Sequence, residues 1–322
     1  MSTTEDTILS QYNTGFRANL NLAPQQTDTR LLSCVDSDLN YDTPGTMFNA
    51  DDVQPTDPED IDARVPDTPD KFMGQTRRVG FFKGFQDSAW IDNVDKAAEL
   101  VDPTNKYMAG LMAGRWRKVD TTILAGAFAP AYQYTGPVTD GAPSSVNFPN
   151  SQIIAASDVS FAHDGEVVPT NGSDYGMSVG KVIHAGMLLD DSELEGERYF
   201  AWGPQQKADM LRRTPTTSVY YSEVKALVAG TINQFLGFNF VMLPRKRIPF
   251  TVGHDAASAN RQCCAWIKPA LVYCGRPITD ARIRIRTDKS DTPQAFYKAQ
   301  HGTARRYDAA VVQVVAYEGA AY

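Results

Sequence analysis

The sequence is poor in the groups that usually announce chemistry. Its 322 residues include four cysteines and four histidines. Cys34, Cys263, Cys264 and Cys274 match neither a Cys-x-x-Cys zinc spacing nor the dense pattern of a disulfide framework. The pair Cys263 and Cys264 lies in an apolar run, QCCAWI, and is expected to be two plain buried thiols. His163, His184, His254 and His301 stand far apart with no HExxH or HxH spacing, so no metal, haem or other cofactor is expected. No apolar run approaches the roughly 20 residues that span a bilayer, so no membrane partner is expected. The acidic stretch Met1–Ser10 has neither the basic start nor the apolar centre of a signal peptide, so the protein is expected to stay where it is made.

Basic residues are also scarce where acids are plentiful. Residues 1–70 hold 3 Arg and no Lys against 14 Asp plus Glu, a balance of −11, which leaves +4 for the rest of a chain of net charge −7. An acidic, proline-rich leader on a mildly basic body is expected to lie on a surface, its own or a neighbour's. Residues 1–40 read as a polar arm with short apolar patches. Residues 41–70, YDTPGTMFNADDVQPTDPEDIDARVPDTPD, are too long for an ordinary connection, and residues 71–91 carry the aromatic and β-branched residues of strands. Together they predict a long two-stranded excursion from the body.

The best-marked element is DPTNKYMAGLMAGRWRKVDTTILAGAFAP, Asp102 to Pro130. Asp102 suits an N-cap, Pro103 the first helical position and Pro130 a stop. Met108, Met112, Trp116, Val119, Ile123 and Ala127 recur at steps of three and four, which marks one apolar helical stripe. Lys106, Arg115, Lys118 and Asp120 are placed on the opposite face. Gly110, Gly114 and Gly126 each cost about 1 kcal/mol in a helix, so close packing must hold it. Gly110 and Gly114 are expected to admit the neighbouring sheet or chain.

Beyond Pro130 the chain reads as loops with strands near 152–155 and 166–168, then as an alternation of helix and strand. Ser178 is expected to cap a helix whose buried face is Val179, Val182, Ile183, Gly186 and Met187, ending near Asp190. Further expectations are a strand at 198–202, helices at 205–212 and 222–227, and strand material at 232–243 kinked at Gly237. One strand is expected at 265–274. A second, ARIRIR at 281–286, sets Ile283 and Ile285 against Arg282, Arg284 and Arg286. The run YDAAVVQVVAY, 307–317, reads as a strand covered on both sides. The fold class is α+β.

One catalytic signature occurs, Gly176-Met177-Ser178-Val179-Gly180, which fits GxSxG. Its serine would need a preceding buried strand and a later Asp and His. TNGSDY before it is loop-like and His184 lies one turn into the same helix, so the helix-cap reading is preferred and no catalytic residue is named. The same stretch misses a phosphate loop by one residue and has Val182 in the magnesium position.

Several longer blocks carry a resemblance: RRVGFFKGFQDSAWIDNVDKAAELVDPTNKY (77–107), RYFAWGPQQKADMLRR (198–213), SVYYSEVKALVAGTINQFLGFNFVML (218–243) and RIRTDKSDTPQAFYKAQHGTARRYDAAVVQVVAY (284–317). In wording and order the chain resembles the major capsid proteins of tailed bacteriophages, with their Hong Kong 97-type fold. The resemblance implies an N-terminal arm at 1–40, an extended loop at 41–95 and a peripheral domain with the spine helix at 96–179. An axial domain at 180–282 and return strands of the peripheral domain at 283–322 complete it. It implies a structural subunit, not an enzyme, that self-assembles as pentamers and hexamers into an icosahedral head around double-stranded DNA, without sequence-specific binding. Scaffold, portal and possible cement proteins are implied as partners, with assembly in the host bacterial cytoplasm and residence in the virion capsid. A nanocompartment shell of the same fold is the nearest alternative, and a serine hydrolase using Ser178 a remoter one. Asp57, Glu59 and Asp60 of the loop are expected to meet Arg77, Arg78, Arg305 or Arg306 of a neighbour.

Overall fold

The computed structural model describes residues 25–39, 44–53, 55–60, 64, 73–91, 104–134, 142–162, 166, 174–248 and 260–318. The arm's first 24 residues, the cap residues Asp102 and Pro103, Val167, Val168 and His254 lie outside them. In chain order the elements are β1 (Asp36–Asp38), β2 (Met47–Val53), β3 (Gln75–Phe81), β4 (Lys83–Trp90), α1 (Thr104–Phe128), β5 (Ala131–Tyr134), β6 (Ser144–Val146) and β7 (Ile153–Ile154). There follow α2 (Val179–Asp190), β8 (Arg198–Trp202), α3 (Pro204–Arg213), α4 (Tyr221–Ala229), β9 (Gln234–Phe235) and β10 (Phe238–Met242). The last four are β11 (Asn260–Ile267), β12 (Leu271–Arg286), β13 (Thr292–Arg305) and β14 (Val311–Tyr317).

These strands form three sheets, ordered β1-β12-β13-β4, β2-β3-β5-β6 and β7-β14-β11-β8-β10-β9. The first lies along α1. Leu111 shares a cluster with Ala295 and Tyr297, Thr122 meets His301, and Gly126 meets Thr303, so helix and β13 run side by side in the same direction. The 25 residues of α1 reach about 37 Å. The 14 of β13 reach about 48 Å, so the strand is long enough to back the whole helix. Gly126 is the glycine this packing requires: a Cβ there would stand 2.6 Å from Thr303 Cβ. At Gly114 the neighbours Asp87 and Arg117 stay at 3.6 and 3.7 Å, an ordinary contact, so the close approach expected there falls at the other end of the helix.

The six-stranded sheet is the core of the body. All of β11 is buried, and Cys263 and Cys264, on opposite faces of it, are both fully buried, as QCCAWI suggests. Burial pushes the Cys263 thiol up to about 12. β14, paired between β11 and β7, is buried from Val311 to Ala316 because its side chains lie in one core with those of α1 and α2. β14 and β7 are strands of the body sheet, and they share one buried core with Val119, Ile123, Leu124 and Ala127 of α1. The single strand expected at 265–274 is broken by Lys268–Ala270, where Pro269 turns the chain out of the body sheet and into the spine sheet. At Leu236 and Gly237 successive positive φ values of 47° and 77° make a reversal, sharper than the expected kink. The buried side of α2 is Val179, Lys181, Val182, Ala185 and Leu189, whereas Met187 is 37% exposed.

Candidate inter-subunit surfaces

β2 and β3 pair antiparallel from Met47↔Phe81 to Val53↔Gln75, and the described residues 55–60 follow the last pair of this ladder. Asp57, Glu59 and Asp60 lie among them and are exposed. At the base, the arginines expected to reach a neighbour are engaged within the chain. Arg77 pairs across the ladder with Asp51 through two 2.8 Å hydrogen bonds. Arg78 pairs with Asp308 at 2.5 Å. Arg306 donates to Asp52 at 2.5–3.0 Å, and the Tyr307 hydroxyl donates to the same carboxylate at 2.8 Å. Arg305 is fully buried; it donates to Asp308 at 2.6 Å and to Ala127 and Ala129 carbonyls at 2.9 and 2.8 Å. It therefore satisfies the last carbonyls of α1 and is turned away from any neighbour. The sequence pairs these arginines with Asp57, Glu59 and Asp60 of a neighbour, and composition does not distinguish Asp51 and Asp52 at the base from those acids. β2 holds those two beside the arginines in every copy, so a neighbour would have to displace a partner already in place.

The arm is fixed to α1 by a buried acid. Asp120 is fully buried and accepts from Gln26 Nε2 at 2.5 Å, Arg30 N at 3.1 Å and Leu31 N at 3.2 Å. Burial raises its pKa against these bonds, which lower it. Arg117 adds bonds to Gln25 Oε1 at 2.5 Å and Gln26 O at 3.1 Å, and Trp266 Nε1 donates to Cys34 O at 2.9 Å. The sequence pattern places Asp120 on the polar face, whereas the structure buries it. The signal was its phase: it stands four residues after Trp116 and three before Ile123, on the apolar stripe itself.

Ser178, the centre of GxSxG, is fully buried and its hydroxyl accepts from Lys181 N at 3.3 Å, the bond of a helix cap. His184 meets Asp158 at 2.5 Å, on a loop before α2. Next to Ser178, Lys181 is buried with its ammonium donating to the carbonyls of Ala156, Tyr175 and Val315 at 2.8–3.1 Å. Burial and the Arg213 charge push its pKa down to about 7, while three carbonyls and the Tyr175 ring face receive its charge. These groups tie α2 to β14 and to the preceding loop.

A spine helix laid along a long hairpin, an arm strapped to that helix and an α+β body that shares a core with its second half make the framework of a structural subunit. The sequence profile of the phage capsid protein family matches residues 8–318, and the chain belongs to that family. It is a phage major capsid protein with the Hong Kong 97-like fold. The fold is shared with the capsid of Ralstonia phage GP4, at a TM-score of 0.67, 11% identity and 94% coverage of each chain. The Cyanophage Pam1 capsid follows at 0.64 and 8% identity, covering 95% of this chain and 96% of the other. That of Cyanophage P-SCSP1u stands at 0.61 and 12%, covering 92% and 91%. No curated protein sequence matches the chain.

Proposed function

We propose that this subunit forms pentamers and hexamers that close into the icosahedral head of a tailed bacteriophage around double-stranded DNA. The observation that carries the reading is the family match over 8–318, together with a fold shared along more than nine-tenths of the chain. The role is one of assembly, with no catalytic step: Ser178 is committed to capping α2. In this reading the arm, the loop beyond β2 and β3, and the exposed end of the spine sheet lie across neighbouring copies. Residues 180–282 lie towards the capsomer axis, apart from the start of β12, which belongs to the spine sheet. Each contact is repeated by symmetry, so modest pairwise energies add up to a closed shell. Scaffold, portal and cement proteins are its expected partners, and the host cytoplasm its place of assembly.

The test is electron microscopy of the purified protein with a nuclease digestion alongside. Closed shells or capsomers, and particles that protect double-stranded DNA when made in the infected host, are expected. Shells that hold a folded protein cargo and no DNA would replace the reading with a nanocompartment, and a stable monomer would end it.

A further inference from the structure

The side of α1 that carries Lys118 and Ala125 is left exposed, and cations gather beside it from three elements. Arg117 and Lys118 come from α1, Arg30 from the arm, and Lys246 and Arg247 from the turn after β10. Hydrogen bonds around Asp120 and Thr121 bring these elements together. Arg30 N donates to Asp120 at 3.1 Å, and the Arg30 guanidinium reaches the Met242 carbonyl at 2.6 Å. Arg247 Nη1 donates to Thr121 Oγ1 at 3.4 Å. Arg117 Nη1 donates to Gln25 Oε1 at 2.5 Å and to Gln26 O at 3.1 Å. Arg30, Lys118 and Lys246 are exposed, and Arg117 and Arg247 are half-buried. The three arginines are thus held by neutral acceptors, and none of the five cations forms an ion pair among the described residues. The acids of the junction do not cancel this charge. Asp120 is fully buried and already serves Gln26, Arg30 and Leu31. Asp28 is exposed at the rim, where it accepts from Thr29 N at 2.7 Å, and Asp87 stands further along the helix beside Gly114.

We infer that this junction binds the phosphate backbone of the double-stranded DNA inside the shell. The inference rests on the shell reading above and adds to it the face of the subunit that meets the genome. Three observations favour this occupant. Uncompensated charge spread over three elements suits a continuous polyanion, because every phosphate that a Lys or Arg neutralises releases counterions. The arginines are oriented in advance: each guanidinium carries five N–H donors and spends only one nitrogen on the neutral acceptors described, so donors remain for phosphate oxygens. Contacts of this kind position a backbone without reading sequence, as a shell that encloses any stretch of a genome requires. Lastly, the residues that meet here, from Gln25 and Arg30 to Thr121, Met242 and Arg247, include no aromatic ring on which an unpaired base could stack, which favours duplex over single strands.

The test is a titration of the full-length protein with a short fluorescent DNA duplex, followed by anisotropy at several salt concentrations. Lys118→Gln with Lys246→Gln removes two exposed charges, and unchanged thermal unfolding would show that the fold survives. This pair should weaken duplex binding about tenfold or more at low salt and lower the slope of log affinity against log salt by about 2. Arg282→Gln with Arg284→Gln makes the same change of charge at the far end of the spine sheet and should leave both quantities unaltered. Electron microscopy of the Lys118 and Lys246 variant should show shells in normal yield. No binding by the unaltered chain, or unchanged binding by the lysine variant, overturns the surface and leaves the shell reading intact. Equal losses from the two pairs of substitutions overturn it as well, since net charge alone would then account for binding. A lysine variant that binds the duplex normally but fails to assemble overturns it in favour of a contact with an acidic protein segment. An unaltered chain that binds the duplex through these lysines and forms no shell keeps the phosphate surface and removes the shell reading alone.

Discussion

At the residue scale the most testable group is His301, 3% exposed, its ring stacked on Phe85 at 4.2 Å. Its Nε2 lies 2.9 Å from Thr122 Oγ1 and its Nδ1 3.4 Å from the Tyr273 hydroxyl. Burial, with the charges of Lys118 and Arg115, pushes its pKa down to about 4. In the unfolded chain the ring takes up its proton near pH 6.5. Between about pH 6.5 and 4 the unfolded state therefore binds more protons, and stability falls as pH falls. The loss amounts to about 3 kcal/mol and levels off below pH 4. His301→Gln, followed by urea unfolding across that range, should remove most of the slope; an unchanged slope would assign it to another group. Nothing in the sequence separates this histidine from the other three, because its burial depends on β4, β12 and α1 meeting over it.

At the element scale the spine helix and the arm carry the predictions. Its stop at Pro130 and the stripe from Met108 to Ala127 made α1 legible in the sequence, and the helix ends at Phe128. Its glycines were not legible, because Thr303 decides which of them is indispensable. Gly126→Ala gains about 1 kcal/mol in helix propensity. It forces a contact at 2.6 Å, and overpacking of that kind costs about 1–3 kcal/mol. A lowered midpoint in thermal unfolding is expected for Gly126→Ala, and an unchanged or raised one for Gly114→Ala. Equal effects at the two sites would contradict the packing described. Asp120→Ala leaves Arg30 N, Leu31 N and the Gln26 amide without their acceptor, at a cost of about 2–4 kcal/mol. Limited proteolysis should then cut first around residues 25–35 while the body stays intact. Protection equal to that of the unaltered chain would mean that Arg117 and the Trp266–Cys34 bond hold the arm alone.

For the whole molecule, the order of the described pieces was readable: long helix, α+β body and apolar final strand each occupy their expected place in the chain. Assignment of strands to sheets was not, since it depends on which distant strand each one meets. β14 reads as doubly covered from VVQVVAY alone, but only its pairing with β11 and β7 places it in the body. Charge behaved likewise: the imbalance between leader and body was visible, yet Arg77, Arg78, Arg305 and Arg306 meet Asp51, Asp52 and Asp308 within the subunit. Charge contacts between copies at exposed surfaces are screened by salt, so assembly should weaken with salt while the fully buried Arg305 bracing does not.

The most direct measurement is electron microscopy of the purified full-length protein, imaged at low and at high salt. Closed shells or five- and six-fold capsomers at low salt, dissociating into folded subunits at high salt, are the expected result. A folded monomer that forms no higher assembly at any salt concentration or protein concentration would contradict the account.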